Sequence, residues 1–259
     1  MVHRHGAFTW YELMTTDLDA AQAFYGSVAG WGMRDAGAVG MTYILASAGE
    51  VPVAGLMSLP AHLKDQSVPP HWLGYVAVDD VDATVAKVLQ LGGSVHAPAA
   101  DIPNVGRYAV VADPQGATFG LMRWLEAMAG PEPEQMGKGR TGWHELMAGQ
   151  WEEVFPFYSA LFGWEKGMAV EMGPMGVYQI FTFGGRDIGG MMTKPAAVPV
   201  PFWLYYINVD DIDAAVQRLE AGGGQVRNGP MEVPGGAWIV QATDAAGAMF
   251  AVVGPRVTA

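Results

Sequence analysis

The sequence predicts an α+β protein made of four βαβββ modules. Three observations lead there. A tandem repeat covers nearly the whole chain of 259 residues, each copy runs twice from an alternating strand-like segment into a capped amphipathic helix, and turn residues are plentiful. Gly (35) and Pro (17) are abundant and charged residues make up 15%, against about 25% in ordinary domains. With 51% hydrophobic residues the chain is a turn-rich protein of short strands, not a disordered one.

The repeat is read directly. Residues 10–31, WYELMTTDLDAAQAFYGSVAGW, match 143–164, WHELMAGQWEEVFPFYSALFGW, at an offset of 143 − 10 = 133. Trp10, Glu12, Leu13, Met14, Phe24, Tyr25, Gly30 and Trp31 all recur. WLGYVAVDDVDATVAKVLQLGGSV (72–95) matches 203–226 at an offset of 203 − 72 = 131, and Asp113, Gly116 and Phe119 recur as Asp244, Gly247 and Phe250. Between the copies, 125–141 turns to Pro, Gly and charge, which reads as a linker between a first domain (1–124) and a second (142–259).

Within a copy, WYELMTT and WLGYVAV alternate as strands. Asp17 and Asp80 then offer side-chain oxygens to orphan helix N–H groups, and the apolar stripes Leu18, Ala21, Tyr25, Val28 and Val81, Val85, Val88, Leu89 face a sheet. Gly92 and Gly222 stand where a left-handed helix end wants glycine. TYILASA, VPVAGLM, RYAVVAD and ATFGLMRW supply further short strands.

A net charge of −12 repels phosphate backbones and acidic lipid, so nucleic-acid and membrane partners are not expected. No run approaches the ~18 apolar residues of a spanning helix, and the opening MVHRHGAFTWYEL has no signal-like apolar block. Cys is absent, which removes disulfides, thiol nucleophiles and Cys-ligated metals. A cytoplasmic location is expected.

The segment TTDLDAAQAFYGSVAGW with its echo, the VDDVDA and VDDIDA helix starts, and the late turn DPQGATFGLM echoed as DAAGAMFAVV together resemble the vicinal oxygen chelate superfamily. That superfamily comprises glyoxalase I, bleomycin-resistance proteins and extradiol dioxygenases. The WYELMTTD opening is similar to its two-domain bacterial glyoxalase-like group. The resemblance implies two tandem domains whose paired modules curl mixed sheets into cups. It also implies four cup-facing positions for His, Gln or Glu ligands to a divalent metal acting as a Lewis acid.

Carried over residue by residue, those positions are Trp10 or Glu12, Gly55 or Met57, Leu73 or Tyr75, and Gly120 in the first domain. In the second they are Trp143 or Glu145, Gly190 or Met192, Leu204 or Tyr206, and Ala251. One carboxylate per domain is a poor set for a first-row ion, so no cofactor is predicted, although a divalent metal is what the family implies.

Glu12 and Glu145 are the candidate catalytic residues, because a carboxylate inside an apolar strand is costly unless partnered, and burial would raise its pKa toward that of a general base. The structural alternative is a carboxylate hydrogen-bonded to a neighbouring strand, Tyr or Arg. Trp10, Tyr75, Trp143 and Tyr206 are the candidate ligand-binding residues, aromatic walls suited to a flat organic molecule, or else core filler. Arg107, matched by Trp238, would be a charged cup feature in one domain only. His144 opens HELMA, but Ala148 breaks the helical zinc motif; His3 and His5 read as a frayed terminus, and His62, His71 and His96 as solvated. No phosphate-binding glycine loop and no G-x-S-x-G elbow occurs.

The function expected is binding of a small organic ligand, an aromatic one included, in metal-poor cups. The alternative is a lyase, isomerase or dioxygenase-type enzyme using a metal or Glu12 and Glu145. Paired modules within one chain favour a monomer, with a dimer left open.

Overall fold

The computed structural model describes residues 4–37, 40–126 and 137–257. Residues 127–136 of the expected linker, and His3, lie outside the described residues.

The first repeat contains β1 (Phe8–Thr15), α1 (Leu18–Ala29), β2 (Gly32–Asp35), β3 (Tyr43–Ala48), β4 (Val51–Ser58), the short α2 (Ala61–Asp65), β5 (His71–Ala77), α3 (Val81–Gln90), β6 (Ser94–Ile102), β7 (Gly106–Ala112) and β8 (Thr118–Trp124). The second contains β9 (Thr141–Ala148), α4 (Trp151–Phe162), β10 (Glu165–Glu171), β11 (Val177–Phe183), β12 (Arg186–Thr193), β13 (Phe202–Asn208), α5 (Ile212–Ala221), β14 (Gln225–Glu232), β15 (Trp238–Thr243) and β16 (Met249–Gly254). Four βαβββ modules are present, as the alternation and helix starts imply.

The strands form two mixed eight-stranded sheets of one design, β2-β3-β4-β1-β5-β8-β7-β6 and β10-β11-β12-β9-β13-β16-β15-β14. Four parallel pairings set the register that matters below. They put Glu12 beside Gly55, Tyr75 beside Gly120, Glu145 beside Gly190, and Tyr206 beside Ala251.

Helix ends follow local chemistry. Asp17 caps α1 by accepting from Ala20 N–H, Asp80 caps α3 through Ala83 N–H, and Gly30 and Gly163 close α1 and α4 in the left-handed region at φ 72° and 69°. One expectation is corrected. After α5 the left-handed glycine is Gly223 (φ 84°), the true counterpart of Gly92 (φ 86°), whereas Gly222 has an ordinary φ of −81°.

Compactness divides the described chain into two units that each draw on both repeats. The first holds 4–9, 74–126 and 143–203; the second holds 10–37, 40–73, 137–142 and 204–257. Each is centred on a buried Trp–Tyr–Asp chain. In the second unit Trp72 Nε1–H donates to Tyr25 Oη (2.8 Å), and Tyr25 donates to Asp244 Oδ2 (3.0 Å). The other Asp244 oxygen accepts from the N–H groups of Ala246 and Ala248, both at 2.9 Å. Trp31 stacks on Tyr25 and donates to Gly139 O at 2.6 Å.

The first unit repeats this chain. Trp203 donates to Tyr158 (3.1 Å) and Tyr158 to Asp113 Oδ2 (2.9 Å), while Asp113 Oδ1 accepts from Gln115 and Ala117 N–H. Trp164 stacks on Tyr158 and donates to Gly6 O (2.7 Å). Every polar atom named is thus partnered, which is the condition for burying a carboxylate. Burial still pushes the Asp113 and Asp244 carboxyls above their usual range, opposed by the backbone N–H donors.

Residues 4–7, ahead of β1, are tied down and not frayed. His5 Nε2 bonds to Leu161 O (2.9 Å) and its Nδ1 accepts from Asp79 N–H (3.2 Å), while Gly6 N–H donates to Ala77 O. Among the described residues no helix is long and apolar enough to cross a membrane.

Candidate functional site

Strand alternation sends residues 10, 12 and 14 to the face of β1 opposite 11, 13 and 15. In the second unit Trp10 and Glu12 do not touch simply as neighbours; they are joined through Tyr43 on β3. Trp10 Nε1–H donates to Tyr43 Oη (3.0 Å), and Tyr43 donates to Glu12 Oε1 (2.8 Å). Trp10 is buried and Glu12 half-buried. The tyrosine fits because residue 55 is glycine: a Cβ there would overlap the Tyr43 hydroxyl and ring.

The first unit contains the counterpart. Trp143 Nε1–H donates to Tyr178 Oη on β11 (2.7 Å), and Tyr178 donates to Glu145 Oε2 (3.1 Å). Glu145 is only 4% exposed. Here Gly190 makes the room, since a Cβ there would overlap the Tyr178 ring. Burial first, then the adjacent carboxylate, drives both phenols far above the ordinary tyrosine pKa, so both stay protonated and act as donors to Glu12 and Glu145.

Tyr75 and Tyr206 stand on other strands. In the first unit the Tyr75 ring lies against Gly120, where a Cβ would overlap it. In the second unit Tyr206 Oη accepts from Gln241 Nε2 at 2.8 Å. Tyr75 and Tyr206 are both buried. The structure therefore links Trp10 with Glu12 through Tyr43 and Trp143 with Glu145 through Tyr178, and sets Tyr75 against Gly120 and Tyr206 against Gln241.

Tyr43, Tyr178 and Gln241 were missed by sequence reasoning. A signal was available for the tyrosines. The copies differ in length between the helix and the third strand, so the local offset is 178 − 43 = 135, which is also that of Gly55 and Gly190. Arg107 is corrected: its guanidinium is taken up by Asp82 (2.7 Å) and Asp101 (2.9 Å) in exposed ion pairs of the first unit.

The positions marked for metal ligands carry one carboxylate in each repeat, already accepting a tyrosine hydroxyl, with tryptophan, glycine, alanine, methionine, leucine and tyrosine elsewhere. Such donors do not make a site for a divalent ion. Among the described residues no three His, Asp or Glu side chains come together to hold one. The arrangement is instead a pair of hydrogen-bonded Trp–Tyr–Glu clusters, in each of which a phenol donates to the carboxylate.

These features define a glyoxalase-type fold, and the chain belongs to the Glyoxalase/Bleomycin resistance protein/Dioxygenase superfamily, whose family model matches residues 7–121 and 140–252. It is similar to "Putative glyoxylase CFP32" of Mycobacterium tuberculosis, with 34% identity over 255 residues, 98% of this chain and 96% of that protein. It is also similar to "Anthracycline biosynthesis protein DnrV" of Streptomyces peucetius, with 32% identity over 262 residues, 96% of this chain and 93% of that protein. In fold it matches the Mn(II)-bound glyoxalase from Novosphingobium aromaticivorans at a TM-score of 0.66 and 16% identity, covering 97% of this chain and 82% of that one. The 2,3-dioxygenase LapB from Pseudomonas sp. KL28 matches at 0.65 and 12%, covering 98% and 92%.

Proposed function

We propose that the protein binds a small planar organic molecule, an aromatic polyketide-like ring system being the best match, against its Trp–Tyr–Glu clusters without needing a bound metal. The observation that carries this reading is that the cluster occurs twice with the same hydrogen-bond order, Trp to Tyr to Glu. An indole and a phenol locked in this way lose little conformational freedom when a flat ligand stacks on them, and the carboxylate offers a fixed acceptor to a ligand hydroxyl. The relative named for anthracycline biosynthesis supports a fused aromatic ligand. Both clusters come from a single chain, which supports a monomer as the working state.

The test is calorimetric titration with 1,4-dihydroxyanthraquinone. Saturable binding that is indifferent to EDTA and weakened at least tenfold in a Trp10→Leu/Trp143→Leu variant of unchanged circular dichroism is the expected result. Absence of binding, or binding only after Mn(II) is added, would overturn it.

The Tyr-to-Glu bonds favour a second reading, an acid–base enzyme of the lyase or isomerase type. Glu12 or Glu145 would take a proton from the bound molecule, while Tyr43 or Tyr178 keeps its own proton and orients the carboxylate by its hydrogen bond. Solvent-deuterium exchange into the ligand, followed by NMR, should vanish in a Glu12→Gln/Glu145→Gln variant; undiminished exchange there removes the reading.

A further inference from the structure

The two units can be compared residue by residue where the opening strand of each repeat turns into its helix. In the first unit the Gln115 side chain lies along that turn. Its Nε2 donates to Gln150 O (2.9 Å) and its Oε1 accepts from Gln150 N–H (3.0 Å). A carboxamide carries a donor and an acceptor side by side on a neutral group, so it satisfies both groups of one residue's backbone at once. Gly149 lies beneath it, and a Cβ there would sit 3.0 Å from Oε1.

In the second unit the counterparts are Ala246 for Gln115 (115 + 131), Asp17 for Gln150 (150 − 133) and Thr16 for Gly149 (149 − 133). With the long side chain cut to a methyl, a cavity of about 180 Å³ remains, walled by Thr16, Asp17, Ala21, Phe24, Asp244 and Ala246. Among the described residues the Asp17 backbone is engaged there by long contacts with Thr15 Oγ1, 3.3 Å from its N–H and 3.4 Å from its carbonyl, besides the helical bond from Ala21 N–H. Gln150 O carries the matching helical bond from Val154 N–H and still accepts Gln115.

We propose that this groove of the second unit binds a neutral primary carboxamide carried on a small flat apolar body, seated where Gln115 sits in the first. The ligand's NH₂ donates to Asp17 O, its carbonyl accepts from Asp17 N–H in place of the long Thr15 contact, and its body packs on Phe24 and Ala21. Thr16, standing where the first unit has glycine, holds the ligand slightly farther out than Gln115 lies. A carboxylate is rejected twice: it has no donor for the Asp17 carbonyl, and its charge faces Asp17 and Asp244. A ketone lacks the donor. The volume suits a single ring, since a cavity of ~150 Å³ holds benzene.

The test uses benzamide on the whole protein, observed by calorimetry and by the backbone amide NMR signals. Saturable binding on the order of millimolar is expected for so small a ligand, with the Asp17 amide signal among those that shift. Benzoate and acetophenone should bind at least tenfold more weakly, and Ala246→Gln, which rebuilds the first unit's plug, should cost at least tenfold. The Trp10→Leu/Trp143→Leu variant should keep benzamide binding, which separates this site from the aromatic clusters. No binding, equal binding of benzoate, an unmoved Asp17 signal, full binding by a folded Ala246→Gln protein, or loss in the tryptophan variant would each overturn the proposal.

Discussion

The Phe8 ring and the His144 imidazole lie face to face, their centroids 3.9 Å apart and their planes 5° from parallel. His144 is 1% exposed and its Nδ1–H donates to Ile188 O at 2.6 Å. Burial holds the imidazole's pKa down to about 4, against 6.5 in the open chain. The unfolded chain therefore takes up this proton first on acidification. The associated stability is complete above pH 6.5 and is lost as pH falls through 4, in total about 3 kcal/mol. Urea unfolding at several pH values should show the native protein losing roughly that much more than His144→Phe between pH 7 and 4. Parallel curves would refute the assignment.

The Tyr158 hydroxyl both accepts from Trp203 and donates to Asp113. Tyr158→Phe strands a buried indole N–H and a buried carboxylate oxygen together, so it should cost about 2–4 kcal/mol, well beyond the loss of one hydrogen bond. Tyr25→Phe should behave alike in the second unit, where Trp72 and Asp244 are left in the same position. A loss under about 0.5 kcal/mol in denaturant titrations of either variant would mean that relaxation or water replaces the hydroxyl.

How far the sequence carries the fold is plain at these residues. Tyr25, Trp72 and Asp113 stand out as members of the repeat, and alternation with helix capping yields the modules. That the Tyr25 of one repeat bonds to the Asp244 of the other is invisible, because a repeat records which residues recur and not which copy each one meets. The candidate site is legible by half in the same way. Glu12 and Trp10 are conspicuous in an alternating strand, but Tyr43, which joins them, lies on a strand beyond a length difference between the copies.

Gly190 is required by the ring above it. An added Cβ would overlap Tyr178, so Gly190→Ala should destabilise by about 1–3 kcal/mol through forced displacement of the ring. In a Gly190→Ala/Tyr178→Ala protein the steric part of that cost disappears, so the two changes should be strongly non-additive in a denaturation cycle. Simple additivity would show that the ring yields freely.

Gly6 combines a φ of +93° with contact against the backbone of Phe162, where an added Cβ would overlap the carbonyl oxygen. Its own carbonyl accepts from buried Trp164. Gly6→Ala should therefore cost more than the ~1 kcal/mol typical of a left-handed glycine alone, and thermal denaturation should register it as a clear fall in midpoint. An unchanged midpoint would mean that residues 4–7 contribute nothing to the first unit.

The Tyr–Asp bonds also bear on how such a chain can diverge after gene duplication. Each repeat contributes a tyrosine to one bond and an aspartate to the other, Tyr25 with Asp244 and Tyr158 with Asp113. Either repeat thus carries both halves of a self-complementary latch. Two identical copies would close it as well as two diverged ones, so drift elsewhere, such as Gln115 against Ala246, proceeds without unlocking the core.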